Sequence, residues 1–185
     1  MAIENRARAL AIILGYEGGD VDDKRDRGGA TRRGISLGFL RLIGLDVNGD
    51  GVVNKKDVFA LSMGQIWALY REHFWDKMRC DELPAGVDLI CFGAAVNQGP
   101  RRATKFLQRA LRRRGARIKA DGIMGPRTIR ASAVFASPAL LIEGIAVARQ
   151  LHYTSIAGWL IYRKGWTRRL MNVYRKSLEL AWRRP

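Results

Sequence analysis

Apolar positions recur at three- and four-residue steps through most of the chain, and that period predicts helices. Ile3, Ala7, Leu10, Ala11 and Leu14 share one face of a first helix that stops near Gly15. From Glu17 to Gly34 the period vanishes. Gly18-Gly19 and Gly28-Gly29 bracket a charged stretch there, which reads as a loop or short hairpin. Helical patterning resumes at Ile35 to Leu45 and at Val58 to Met63. A stronger helix carries Ile66, Leu69, Tyr70 and Phe74 on one face. Another covers Val87 to Val96. Arg101 to Arg114 is a basic helix with Phe106, Leu107 and Leu111 as its buried side. A turn-rich link at Asp121 to Pro126 leads to an apolar helix from Ala139 to Leu151, and the last helix runs from Gly165 to Arg184. The expected fold class is mostly α, with at most a small β-hairpin after the first helix.

Charge divides the chain more sharply than hydropathy. Up to Ala95 there are 14 acidic and 13 basic residues; from Val96 onward there are 3 acidic and 20 basic. The expected organisation is therefore a near-neutral lobe over 1–95 and a basic helical lobe over 96–185, in one compact unit and a monomer. A cationic body attracts polyanions, among them anionic membrane surfaces and acidic wall polymers. The terminal helix carries Trp166, Leu170, Val173, Tyr174, Leu178, Ala181 and Trp182 as a stripe flanked by arginines, which reads as a core-packed face or as a membrane-surface helix. Nucleic acid has only the charge in its favour, because no recognition motif is present.

No apolar run approaches the roughly 18 residues that cross a bilayer. The opening Met1 to Arg6 does not read as a secretory signal, so synthesis in the cytosol is expected. Cys80 and Cys91, with His73 and His152, offer no zinc-type spacing. The two cysteines read as reduced core thiols or as a disulfide.

Two constellations carry candidate chemistry. Glu17 stands just past an apolar helix, where burial, the negative helix end and nearby acids all favour a protonated carboxyl. Such a group can act as a general acid. A hairpin in the following loop would bring Asp26 and Thr31 back beside Glu17, a carboxylate and a hydroxyl able to hold a water. Glycoside hydrolysis asks for that kit; a solvated acidic loop containing Asp20, Asp22 and Asp23 is the plainer reading. The second constellation is Asp46-Val47-Asn48-Gly49-Asp50-Gly51-Val52-Val53-Asn54-Lys55-Lys56-Asp57, which fits a twelve-residue calcium loop. Asp46, Asn48 and Asp50 stand at positions one, three and five, Gly51 at the sharp turn, the Val52 carbonyl at seven and Asp57 at twelve. Asn54 at nine holds a water. A polar turn between two helices is the alternative. The Ca²⁺ is read as structural, with no cofactor for catalysis.

Tyr16-Glu17-Gly18-Gly19, Asp26-Arg27-Gly28-Gly29-Ala30-Thr31 and Gly34-Ile35-Ser36 resemble the opening motif of glycoside hydrolase family 108. The resemblance continues through Leu69 to Trp75, Cys80 to Pro84, Ala95 to Pro100 and Phe106 to Leu111. Asp121 to Thr128 is similar to the family's C-terminal peptidoglycan-binding-like segment, and Gly165 to Arg169 to its closing motif. The resemblance implies a lysozyme-like fold and an N-acetylmuramidase that cleaves the β-1,4 bond of peptidoglycan, of the kind found as phage endolysins and secretion-linked bacteriolytic hydrolases. It implies Glu17 as the catalytic acid, with Asp26 and Thr31 positioning water. It implies release to the wall through a holin-type pore. Two positions depart from the pattern. Asp20 replaces an aromatic residue, and Gly93 follows Phe92 where an aspartate is usual, which leaves Asp26 as the second carboxylate. The Asp57-closed loop resembles those of dockerins. From that loop comes the competing function, a non-catalytic calcium-dependent binder of envelope or polyanion; it is weakened because dockerins carry paired loops and one is present here.

Overall fold

The computed structural model describes residues 2–16 and 30–182. Glu17 and Asp26 lie outside the described residues. Within them are nine α-helices and one two-stranded antiparallel sheet, as the helical period predicts. The backbone divides into two units. One is Leu10–Tyr70; the other combines Met1–Ala9 with Arg71–Pro185. Helix α1 (Ala2–Leu14) therefore contributes to both, and it stops at Gly15 as expected.

In the Leu10–Tyr70 unit, β1 (Thr31–Arg32) and β2 (Ile35–Ser36) pair with Thr31 opposite Ser36 and Arg32 opposite Ile35. The two linking residues, Arg33 and Gly34, both have positive φ (48° and 83°), the requirement of the tight type I′ hairpin. Ser36 ends the strand and caps α2 (Leu37–Ile43), its hydroxyl accepting from the Phe39 amide at 3.2 Å. Gly44, left-handed at φ 67°, closes that helix. The Val58 to Met63 run is not one helix. Helix α3 (Lys55–Ala60) ends there and α4 (Met63–Tyr70) begins, because Ser62 and Gln65 cap α4 reciprocally: the Ser62 amide donates to Gln65 Oε1 at 2.9 Å and the Gln65 amide to Ser62 Oγ at 3.2 Å.

The second unit is built around α5 (Val87–Gln98). Every residue from Val87 to Ala95 is buried, so the helix has no solvent face over that stretch. Helices α6 (Pro100–Arg113), α8 (Pro138–Thr154) and α9 (Trp159–Trp182) pack around it. They contribute Phe106, Leu107 and Leu111, then Leu141, Ile142 and Ile145, then Leu170, Val173 and Leu180. Before α5, a π-helical turn at Arg71–Trp75, closed by the Asp76 amide on the Arg71 carbonyl, delivers Trp75 to the interior. Its indole N–H donates to Asp81 Oδ1 at 3.0 Å and its ring meets Phe92 edge-on. Cys80 and Cys91 are both free and buried, and burial raises both thiols.

Helix α9 starts six residues before the expected Gly165. Leu160, Ile161 and Tyr162 in its first turns are exposed, so they carry no buried period to read. Of the expected stripe, Leu170 and Val173 are buried and Trp182 is exposed; the buried face runs instead through Leu170, Val173, Ser177 and Leu180. Helix α7 (Pro126–Ala133) was not foreseen from the turn-rich link; Pro126 occupies its first turn, where a missing N–H costs nothing.

Candidate active site, metal loop and ligand groove

Of the three expected catalytic residues, Thr31 alone is described. It is half-buried at the start of β1, directly after the buried Ala30. The hairpin that carries it is tied down from two sides. Tyr70, fully buried at the end of α4, donates its hydroxyl to the Arg33 carbonyl at 2.9 Å. The Arg32 guanidinium donates to the Phe59 carbonyl of α3 at 2.9 Å. The Leu37 amide closes the base of the hairpin on the Ala30 carbonyl.

The Asp46–Asp57 loop connects α2 to α3, which pack together. Asp57 is fully buried and holds the loop shut. Its Oδ1 accepts from the amides of Val47 and Asn48, at 2.8 and 3.1 Å, and its Oδ2 from that of Asn54 at 2.7 Å. These donors, Asn54 first, keep its carboxyl below the usual range against the opposing effect of burial. Asp46 accepts from Gly49 and Gly51, and Asp50 from Val52 and the Asn48 amide group. Each oxygen of Asp46 and Asp50, and Asn48 Oδ1, retains one acceptor position beyond these bonds. The donor set is all oxygen, which suits a hard cation. Among the described residues no three His, Cys, Asp or Glu side chains gather as a metal group; at this loop the set would need Asn48 and the Val52 carbonyl to be complete.

A third feature was not foreseen. A groove of about 960 Å³ opens between α6, the loop after it and the start of α7. Its floor is polar and fully bonded. Gln108, buried on α6, donates through Nε2 to Asp121 Oδ1 at 2.9 Å, the Ile123 carbonyl at 3.1 Å and Thr128 Oγ1 at 3.2 Å, and accepts from the Gly122 amide at 2.9 Å. Asp121 also accepts from the Ile123 amide, and these contacts hold its carboxyl below the usual range. Arg112, Arg117, Lys119, Arg127 and Arg130 line the opening. Arg113 and Arg114 face elsewhere, beside Glu143. The sequence signal was present in Gln108 and the Asp121 to Thr128 motif, but the cations are spread over three segments and form no run.

Arg149 of α8 was also missed. It is fully buried, and its Nη2 donates to the Gly93 carbonyl, Asn97 Oδ1 and the Tyr153 hydroxyl at 3.1–3.3 Å. Its Nε and Nη1 make no hydrogen bond. Burial lowers its pKa first of all causes.

Residues 10–99 match the family model Glycosyl hydrolase 108, and residues 102–171 match the model Predicted Peptidoglycan domain. The solved structure of Brucella abortus SagA is 32% identical, covers 96% of this chain and 96% of its own, and superposes with a TM-score of 0.84. No curated protein matches the chain. With both segments matched in order and a solved relative aligned over nearly its full length, the chain belongs to glycosyl hydrolase family 108 and is a lysozyme-like muramidase that acts on peptidoglycan.

Proposed function

We propose that Glu17 is the general acid of this muramidase. It protonates the oxygen between N-acetylmuramic acid and N-acetylglucosamine, while Asp26 and Thr31 hold the water that completes hydrolysis. The observation that carries the reading is the family match over 10–99, which spans all three residues. The doubly anchored hairpin supports it, since a water-positioning hydroxyl needs a fixed backbone. Glu17→Gln keeps the shape of the side chain and removes its proton. That variant should fold with an unchanged melting curve and lose at least about 100-fold of its rate on purified cell walls. Lysis at the unsubstituted rate would refute the assignment.

The Asp46–Asp57 loop is proposed to bind Ca²⁺ through Asp46, Asn48, Asp50, the Val52 carbonyl and the remaining acceptor position of Asp57. The ion's role is to brace α2 against α3, with no part in the chemistry. The excess of basic residues from Val96 onward is proposed to hold the enzyme on anionic envelope material.

A further inference from the structure

The groove beside α7 has a composition that selects among the parts of peptidoglycan. Five cations line it, and among the described residues none of them lies within ion-pair distance of a carboxylate. Its single acid, Asp121, keeps its charge, held in place by Gln108 and the Ile123 amide, and the five cations outnumber it. Guanidinium groups without partners are built to take carboxylates in paired hydrogen bonds. The apolar part of the lining is small and aliphatic: Ile118, Ile123, Ala116 and Pro126.

Among the described residues, no aromatic ring lines the groove. Nucleobases bind single-strand channels by stacking on aromatic side chains, and a sugar ring packs its apolar face in the same way. The glycan strand is also uncharged where its stems are attached, so it offers five cations nothing. The stem peptide offers both things the groove is made for, free carboxylates and alanine methyls. The size fits as well, since pockets for compact ligands run to roughly 300–1,000 Å³.

We propose that this groove binds the carboxylates of peptidoglycan stem peptides, and that the chain grips the wall by its peptides while cutting its glycan. The proposal rests on the reading of the chain as a peptidoglycan enzyme. The Gln108 network fixes the floor and the spacing of the flanking segments. Arg117 and Arg127 both line the groove, one from the loop after α6 and one from α7.

The test uses the full-length Glu17→Gln chain, which removes turnover, in calorimetric titrations at low salt. The probes are the tripeptide L-Ala-γ-D-Glu-meso-diaminopimelate, the same peptide with its carboxylates amidated, peptide-free glycan strands with their lactyl carboxylates amidated, inorganic phosphate and a short DNA duplex. The acidic tripeptide should bind at least tenfold more tightly than its amide and more tightly than every other probe. Arg117→Gln with Arg127→Gln should weaken it at least tenfold, and Arg113→Gln, beside Glu143, should leave it unchanged. Equal binding of the amide, tighter binding of glycan, phosphate or DNA, or indifference to the double substitution overturns the proposal. Wall lysis by the unsubstituted chain is measured in parallel. Lysis without tripeptide binding sinks the groove assignment alone; tripeptide binding without lysis sinks the muramidase reading alone.

Discussion

Gln108 and Asp121 stand thirteen residues apart in the chain and share a 2.9 Å hydrogen bond that fastens the loop before α7 to the buried side of α6. The same glutamine serves three further partners, so its amide ties the groove floor together at four points. Gln108→Leu keeps the volume and removes every bond. It leaves the Thr128 hydroxyl and the Gly122 amide short of a partner, a cost of about 1–3 kcal/mol. Urea denaturation should show that loss as a lower midpoint at unchanged slope. An unchanged midpoint would mean that the loop is held by something else.

Calcium should raise the melting temperature, because a ligand that binds the folded state alone stabilises it. Asp46→Ala with Asp50→Ala should abolish the shift and leave the fold intact, since Asp57 still closes the loop through backbone donors. Melting curves that coincide in chelator and in excess calcium would refute the site.

Asp88 sits buried in the first turn of α5. Burial pushes its carboxyl up to about 6, against the amides of Leu89 and Gly86 and the Asn5 side chain. The raised value means that the folded chain takes up this proton before the unfolded chain does. Stability therefore increases as pH falls from about 6 to about 4, by an amount on the order of 3 kcal/mol from this group. Above pH 6 the benefit is gone. Asp88→Asn should flatten that segment of the stability curve; identical slopes for both proteins between pH 4 and 6 would refute the assignment.

Gly86 precedes α5 with φ at 82°, and a Cβ there would lie 2.1 Å from the Ser177 carbonyl oxygen. Strain and collision act together in Gly86→Ala, which should cost about 2–5 kcal/mol. Gly165, inside α9 with open space around its would-be Cβ, is the contrasting case. Gly165→Ala should stabilise by about 0.5–1 kcal/mol. Thermal melts that move both variants in the same direction would contradict the packing described.

The helices with one deeply buried face were legible. In α6, Phe106, Leu107 and Leu111 are buried among arginines, and the contrast defines the period. Helix α7 has Ile129 as its one buried aliphatic residue beyond alanine size, too few to repeat. The start of α9 was hidden by exposed Leu160, Ile161 and Tyr162. At the site, the Glu17 motif was legible as a string and Thr31 is found on a tethered hairpin. The Asp121 to Thr128 motif at the groove was legible, but the groove itself was not, because its cations come together only when three separate stretches fold around one glutamine. Arg149 was hidden by its own charge: nothing local distinguishes a buried guanidinium from the many that face water.

Helix α5 touches water on no side from Val87 to Ala95, and that separates two kinds of change open to this chain. Its small and aliphatic residues can be replaced only by others of equal volume, so the centre is conservative by geometry. The outer faces of α6 and α9 answer to no such constraint. Their lysines and arginines can be added, lost or reversed one at a time with little effect on folding. The basic coat is thus an adjustable surface laid over a close-packed spine, and descendants of one fold could be tuned to walls of different charge without rebuilding the interior.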